Sequence, residues 1–256
     1  MKPEDVLATI KKLALAAGQE ILRQYKNDIK VEYKEDRSPV TAADKAANEM
    51  ISEGLKEVFP AIPVLAEESA DDLSRLDKKF CFIVDPLDGT KEFIKKNGEF
   101  TVNIALVEDG VPIGGVINVP YLKEMYFAWK GFGSYQVIAG STKRIFVSDR
   151  TGDIRLARSR SQHSDELDGL IEKNHVTHIV TAGSAYKGCL LARGDVEAYY
   201  RFGRTMEWDT AAMEILVTEA GGLFSGMDGK PFQYNKRNPE NPTGFFVLNK
   251  KENALL

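Results

Sequence analysis

Two aspartates lie three residues apart in the run Asp85-Pro-Leu-Asp-Gly-Thr90, directly after the apolar stretch Phe80-Cys-Phe-Ile-Val84. The apolar stretch is expected to be a buried strand. Pro86 fixes its own φ and cannot donate to a sheet ladder, while Gly89 permits a conformation or a close approach that a Cβ would hinder. A strand that stops at Asp85 in such a turn brings two carboxylates, a free backbone carbonyl and the Thr90 hydroxyl to one point. Hard oxygen donors clustered in this way suit Mg²⁺ or Mn²⁺. The competing reading is a polar surface turn, because Asp, Pro and Gly are the ordinary turn residues.

Acids at three other element boundaries weigh against that alternative. Asp44 follows Thr41 by three residues at the start of a predicted helix, Glu67-Glu68 end a short apolar strand, and Asp209 opens a helix in Glu207-Trp-Asp-Thr210. Each has a structural explanation of its own: a carboxylate at the positive end of a helix dipole, a solvated pair, an N-cap. Together they carry enough negative charge to hold two or three divalent cations, and they would repel one another strongly without them.

The elements that must position these acids follow from periodicity. Val6, Ile10, Leu13, Ala14, Ala17, Ile21 and Leu22 recur at helical spacing over 4–26. Ile29, Val31 and Tyr33 suggest a strand leading into a loop that runs to Pro39. A second helix opens at Ser38–Asp44 with Thr41 as N-cap and runs to about Phe59. Strands are expected at 63–66, 80–85, 100–108, 111–119 (after a turn at Asp109-Gly110), 124–129, 134–137 and 144–147, with a short helix or turn at 92–97. The pattern then changes to alternating strand and helix: 154–158, 165–172, 178–181, 184–193, 196–200, a long apolar helix from 208 to 220 ended by Gly221-Gly222, and a last strand at 245–248. We expect an antiparallel α+β half over 1–145 and an α/β half over 146–256.

Composition narrows the function classes. The chain has 256 residues, 43% of them hydrophobic, enough to bury a substantial core. Its formal net charge of −4 comes without a long basic run, which argues against non-specific nucleic-acid binding. No stretch approaches the roughly 18 apolar residues of a membrane span, and Met1–Asp5 lacks the order of a signal peptide. Cys81 and Cys189, the two cysteines, are expected as buried free thiols in a reducing compartment. A soluble cytoplasmic protein is the expectation.

Four motifs in order resemble the inositol monophosphatase superfamily of magnesium-dependent, lithium-sensitive phosphatases: Glu67-Glu-Ser69, Asp85-Pro-Leu-Asp-Gly-Thr90, Gly183-Ser-Ala185, and Trp208-Asp209 followed by Glu219-Ala-Gly-Gly222. The resemblance spans nearly the whole chain and implies a layered αβαβα sandwich. Within the superfamily, Lys91-Glu-Phe-Ile94, Asn97–Ala105 and Arg201-Phe-Gly-Arg-Thr205 resemble the CysQ group of 3′(2′),5′-bisphosphate nucleotidases, which convert adenosine 3′,5′-bisphosphate to AMP and phosphate. Arg201 stands where inositol phosphatases carry a glutamate that contacts the inositol ring. A guanidinium there suits a second phosphate, whereas a carboxylate suits hydroxyls.

The resemblance also implies roles. Glu67, Asp85 and the Leu87 carbonyl hold one metal; Asp85, Asp88 and Asp209 hold a second. The turn at Leu87, Asp88, Gly89 and Thr90 meets the scissile phosphate, with Asp209 beside it. Asp44 and Thr90 resemble the pair that orients and deprotonates the attacking water in the nucleotidase branch, where a third metal lies nearby; in the inositol branch the acid matching Glu67 is given that part. Ser184 and Lys187 look like ligands of phosphates or ribose, with Lys187 expected one helical turn beyond Ser184, and Arg201 resembles a ligand of the non-reacting phosphate. Ser159-Arg-Ser-Gln-His163 departs by one residue from the family's Ser-Arg-Ser-His loop, which leaves Arg160 and His163 without assigned roles. His175 and His178 match nothing and are expected to be structural or exposed. The alternatives are an inositol-phosphate or fructose-bisphosphate phosphatase, and a metal- or nucleotide-binding regulator without catalysis. The partner is then a small phosphomonoester, with no nucleic acid. Monomer and homodimer both occur in related families. Some relatives attach peripherally to the inner membrane, although no amphipathic basic helix here argues for it.

Overall fold

The structure is a computed structural model that describes residues 2–255 apart from 28, 36 and 37. In chain order its elements are α1 (Pro3–Tyr25), β1 (Val31–Tyr33), β2 (Pro39–Thr41), α2 (Ala42–Val58), β3 (Val64–Ala66), β4 (Phe80–Asp88), α3 (Thr90–Ile94), β5 (Thr101–Glu108), β6 (Val111–Val119), β7 (Glu124–Trp129), β8 (Gly133–Ile138) and β9 (Ser141–Ile145). They continue with β10 (Arg155–Ser159), α4 (Asp165–Lys173), β11 (His178–Ala182), α5 (Tyr186–Ala192), β12 (Ala198–Arg201), β13 (Thr205–Met206), α6 (Glu207–Glu219), β14 (Leu223–Gly226), β15 (Glu240–Asn241) and β16 (Phe245–Leu248).

Strands β3 to β9 form a seven-stranded sheet in sequential order, antiparallel except for the parallel pair β3–β4. A five-stranded sheet has the order β11-β10-β12-β16-β14, with β10, β11 and β12 parallel. Both faces of β4 are covered, which is why Phe80–Val84 reads as a continuous apolar run rather than an alternation. Phe82 and Val84 pack with α1 and α2 on one side, whereas Cys81 and Ile83 pack with α5 and α6 on the other. Helix α6 buries residues all round, including Ala211, Ala212, Met213, Ile215, Leu216 and Val217, as a helix between two sheets must. Ala157, Tyr199, Phe245 and Val247 of the smaller sheet close the same core; Leu156, Ala198 and Leu248 pack with Leu167 of α4 on its far face. The layers are therefore α1/α2, sheet, α5/α6, sheet, α4: the expected αβαβα sandwich.

Several local expectations need correction. Strand β4 does not stop at Asp85 but runs to Asp88, because the ladder to β5 resumes after a register break that leaves Pro86 and Leu87 out of step. The second helix begins at Ala42, directly after its expected N-cap Thr41, but Pro39–Thr41 also pairs with β1 as a two-stranded hairpin that was not expected. Residues 36 and 37, in the loop expected before Pro39, lie outside the described residues. The helix expected from Ser184 begins at Tyr186, since Ser184 adopts a left-handed φ of 44°. The strand expected at 144–147 lies at Ser141–Ile145, and the short strands β13, β14 and β15 had no periodic signal to announce them. Among the described residues, no helix is long and apolar enough to cross a membrane.

Candidate active site

The bulge at Pro86–Leu87 aims both aspartates to the same end of the sheet. Asp85 pairs across with Asn103, and Asp88 with Thr101. The Leu87 N–H donates to Asp85 Oδ1 at 3.1 Å, and Asp88 Oδ2 accepts from the Ala185 N–H at 2.6 Å, from Asn103 Nδ2 at 3.3 Å and from Thr101 Oγ1 at 3.4 Å. Gly89 takes a φ of 89°, which a side chain would resist, and turns the chain straight into α3. The first-turn N–H groups of that helix have no intrahelical acceptor.

Asp209 arrives from the other half of the chain. It lies in the first turn of α6, where its Oδ2 accepts from the Met206 N–H at 2.7 Å. Asp85, Asp88 and Asp209 each place one carboxylate oxygen within 4.8 Å of the others. The chemistry of the set responds to this convergence. Burial, then the charges of Glu67, Asp88 and Asp209, pushes Asp85 well above the usual carboxylate range. Burial and Asp88 push Asp209 up to about 8. Burial raises Asp88 too, against the pull of Lys187 and the Ala185 N–H. Oxygen-only donors, buried at Asp85 and half-buried at Asp88 and Asp209, acidic and mutually repelling, fit a hard divalent cation.

Asp44 is 2% exposed and lies behind Thr90. Its Oδ2 accepts from the Thr41 N–H at 2.8 Å and Thr41 Oγ1 at 2.6 Å, while the Thr90 hydroxyl donates to its Oδ1 at 3.0 Å. Thr41 is thus the N-cap of α2, as expected. Burial raises the Asp44 pKa, although the bonds from Thr41 and Thr90 oppose this. Glu67, at the end of β3, is held by Lys34: the ammonium donates to Glu67 at 2.8 Å and to Glu68 at 2.5 Å. Burial works against the Lys34 charge, but the two glutamates outweigh it and hold its pKa above the ordinary value.

A cleft of about 430 Å³ joins these groups, lined by Glu67, Asp85, Leu87, Asp88, Gly89, Thr90, Ser184, Lys187, Arg201 and Asp209 among others. Every site residue expected from the sequence lines it except Asp44, which reaches it through Thr90. Lys187 is 3% exposed. It lies in the first turn of α5 rather than a turn beyond Ser184 on one helix, and its Nζ donates to the Ser184 carbonyl at 2.6 Å. Burial lowers its pKa to about 8, against Asp88 and Glu92. Arg201 ends β12 and donates to the Arg204 carbonyl at 3.3 Å.

The Ser159–His163 loop is divided by the structure. Ser159, Ser161 and Gln162 line the cleft. Arg160 is turned into a two-point pair with Glu99 at 2.7 Å, and His163 is exposed beside Asp165 at 3.0 Å. His175 and His178 are exposed, and both cysteines are free and buried. Two charged groups had no sequence signal as site residues. Lys34 falls in the polar loop after the strand suggested by Ile29, Val31 and Tyr33, and Glu92 enters only as part of the run Lys91-Glu-Phe-Ile94, yet it is buried and lines the cleft.

The sequence model of the inositol monophosphatase family matches residues 2–255. The chain belongs to this family. Among curated proteins it is similar to the 3′(2′),5′-bisphosphate nucleotidase CysQ of Salmonella typhimurium, 42% identical over 246 residues that cover 94% of this chain and 99% of that protein. The corresponding protein of Escherichia coli K12 is 40% identical over 245 residues, with coverage of 94% and 99%. Among solved structures, CysQ from Bacteroides thetaiotaomicron, a bacterial member of the inositol monophosphatase family, superposes with a TM-score of 0.85 at 38% identity, covering 96% of this chain and 98% of that one. An IMPase from Thermotoga maritima superposes with a TM-score of 0.82 at 27% identity, covering 96% and 92%. The family's layered fold is the one described above.

Proposed function

We propose that this chain is a magnesium-dependent, lithium-sensitive phosphomonoesterase that removes the 3′-phosphate of adenosine 3′,5′-bisphosphate to give AMP and phosphate. The observation that carries this reading is the meeting of Asp85 and Asp88 with Asp209 in one cleft, beside the Thr90–Asp44 hydrogen bond. The names of the relatives support the substrate class. In this reading the 1–145 half brings most metal ligands, and the 146–256 half brings Asp209 and the substrate-binding residues.

Glu67, Asp85 and the Leu87 carbonyl would hold one Mg²⁺, and Asp85, Asp88 and Asp209 a second, with Mn²⁺ a substitute and a third ion in the neighbourhood of Asp44 and Thr90. When bound, the metal supplies Lewis-acid polarisation of the phosphoryl group and a more acidic water. The chain's own residues do the rest. The turn at Leu87–Thr90 receives the scissile phosphate on backbone N–H groups. Thr90 Oγ1 donates to Asp44, which leaves its lone pairs to accept from the attacking water, so a proton passes from water through Thr90 to Asp44. Burial makes Asp44 a stronger base for that step. Burial raises Glu67 as well, against the pull of Lys34, but in this reading its carboxylate is taken up as a metal ligand and by the Lys34 ammonium. Lys187 and Ser184 orient the sugar and its phosphates, and Arg201 takes the 5′-phosphate through charge-assisted hydrogen bonds.

The test is a parallel comparison of kcat/KM for adenosine 3′,5′-bisphosphate, inositol 1-phosphate and fructose 1,6-bisphosphate, in wild type and Arg201→Glu. The nucleotide is expected to be preferred by the wild type, and the substitution to lower nucleotide turnover by about tenfold to hundredfold more than inositol phosphate turnover. Equal losses on the two substrates would remove Arg201 as the determinant.

A further inference from the structure

Glu92 differs from the other buried acids of this protein. It is 5% exposed, it lines the cleft, and among the described residues its carboxylate accepts no hydrogen bond. Asp44, Asp85, Glu197 and Glu207, the other buried acids, each accept at least one. Its oxygens are not among the enclosed side-chain atoms that lack a partner, so they open onto the cleft, where water or a ligand must supply the donors.

The surrounding backbone is shaped to keep Glu92 where it is. A Cβ on Gly183 would lie 2.5 Å from Glu92 Cγ and 2.8 Å from the Glu99 carbonyl oxygen, so no larger residue fits against this side chain. A Cβ on Gly89 would lie 3.3 Å from Glu92 Oε2 and 3.1 Å from Ser184 Cβ. The carboxylate is therefore pressed into the angle between the Gly89 turn and the Gly183–Ser184 turn, at the wall of the cleft. It does not belong to the group of acids whose oxygens converge, which consists of Asp85, Asp88 and Asp209. Positive charge is already at hand in Lys187, whose ammonium acts on Glu92 electrostatically. What Glu92 lacks is a hydrogen-bond donor.

The Gly89 turn is the part of the chain assigned above to the scissile phosphate, and the present inference rests on that reading. A group beside a phosphate ester that donates a hydrogen bond without adding negative charge is a hydroxyl on the neighbouring carbon. A carboxylate at this wall also repels phosphate oxygens and so keeps the phosphate on the metal-binding side. We propose that Glu92 accepts a hydrogen bond from the hydroxyl vicinal to the scissile ester, so that the cleft selects phosphomonoesters of vicinal diols, such as the ribose of a 3′-nucleotide, over their deoxy counterparts.

The experiment compares kcat/KM for adenosine 3′,5′-bisphosphate and its 2′-deoxy analogue in wild type, Glu92→Gln and Glu92→Leu. The wild type is expected to prefer the ribose substrate by roughly tenfold to hundredfold, the range of a hydrogen bond to a charged group. The preference should shrink in Glu92→Gln and approach one in Glu92→Leu. A wild-type ratio near one overturns the proposal, whether or not the variants fold, and so does a ratio unchanged in both variants. Hydrolysis of neither nucleotide by the wild type would instead sink the nucleotidase reading. The role of Glu92 is then decided by the same ratio for 2-hydroxycyclohexyl phosphate over cyclohexyl phosphate, which differ by the vicinal hydroxyl alone, with the same expected and overturning results.

Discussion

Replacing Asp209 with asparagine should move stability in opposite directions with and without metal. The three converging carboxylates lie within 4.8 Å of one another. At an effective dielectric constant near 20, two full charges at that separation repel by about 3 kcal/mol. Asp209, pushed up to about 8, is roughly half charged at pH 8, so removing its charge should relieve on the order of 1–3 kcal/mol in metal-free protein. The asparagine carbonyl still accepts the Met206 N–H, which keeps the start of α6 intact. For a chain of this size 1 kcal/mol corresponds to about 2 °C in Tm, so Asp209→Asn in EDTA should melt about 2–6 °C above wild type. Magnesium at a hundred times its Kd stabilises a binding protein by about 3 kcal/mol, and the variant should lose most of that gain. The assay is thermal unfolding at pH 8, in EDTA and across a Mg²⁺ titration. A variant less stable than wild type in EDTA, with an undiminished magnesium shift, would refute the reasoning.

Three further outcomes follow from the geometry. Thr90→Ala removes the link between the attacking water and Asp44, so kcat should fall by roughly 10²–10⁴ with little change in KM; a KM effect alone, measured in steady-state kinetics, would move Thr90 out of the proton path. Lys34→Met leaves Glu67 and Glu68 unpaired in a half-buried setting, and calorimetry of metal-free protein should show a loss of about 1–2 kcal/mol; no loss would mean the ion pair is energetically idle. Burial lifts the Glu214 carboxyl from 4.5 to about 7, so the fold favours its protonated form. The stability that Glu214 contributes is full below pH 4.5 and is lost as pH rises through about 7. Glu214→Gln should flatten the stability–pH curve across that window by on the order of 1–3 kcal/mol, and an unchanged slope in denaturant titrations would contradict the assignment.

The layers and the acidic corners were legible because they are written in local pattern. The stripe of α1, the apolar run into Asp85 and the all-round apolarity of α6 each report which faces are covered. The motifs around Asp85, Asp88 and Asp209 are short and contiguous, so their residue types survive as signals. Long-range partners leave no such trace. Lys34 reaches Glu67 across 33 positions, and Glu92 is buried only because Gly183, on a distant turn, makes room for it. Strand β4 was expected to end three residues early, since a proline normally ends a ladder, whereas here a bulge absorbs it. Ser184 in a left-handed conformation delays α5, and nothing in the local run Gly-Ser-Ala-Tyr distinguishes that from a helix starting at the serine.

The most direct test of the account is the product of the reaction itself. Adenosine 3′,5′-bisphosphate should be converted by the wild-type protein with Mg²⁺ to 5′-AMP and one equivalent of phosphate, with release abolished by EDTA and by Asp209→Asn and inhibited by millimolar Li⁺. Adenosine 3′-phosphate as product, or phosphate release indifferent to EDTA, would contradict it.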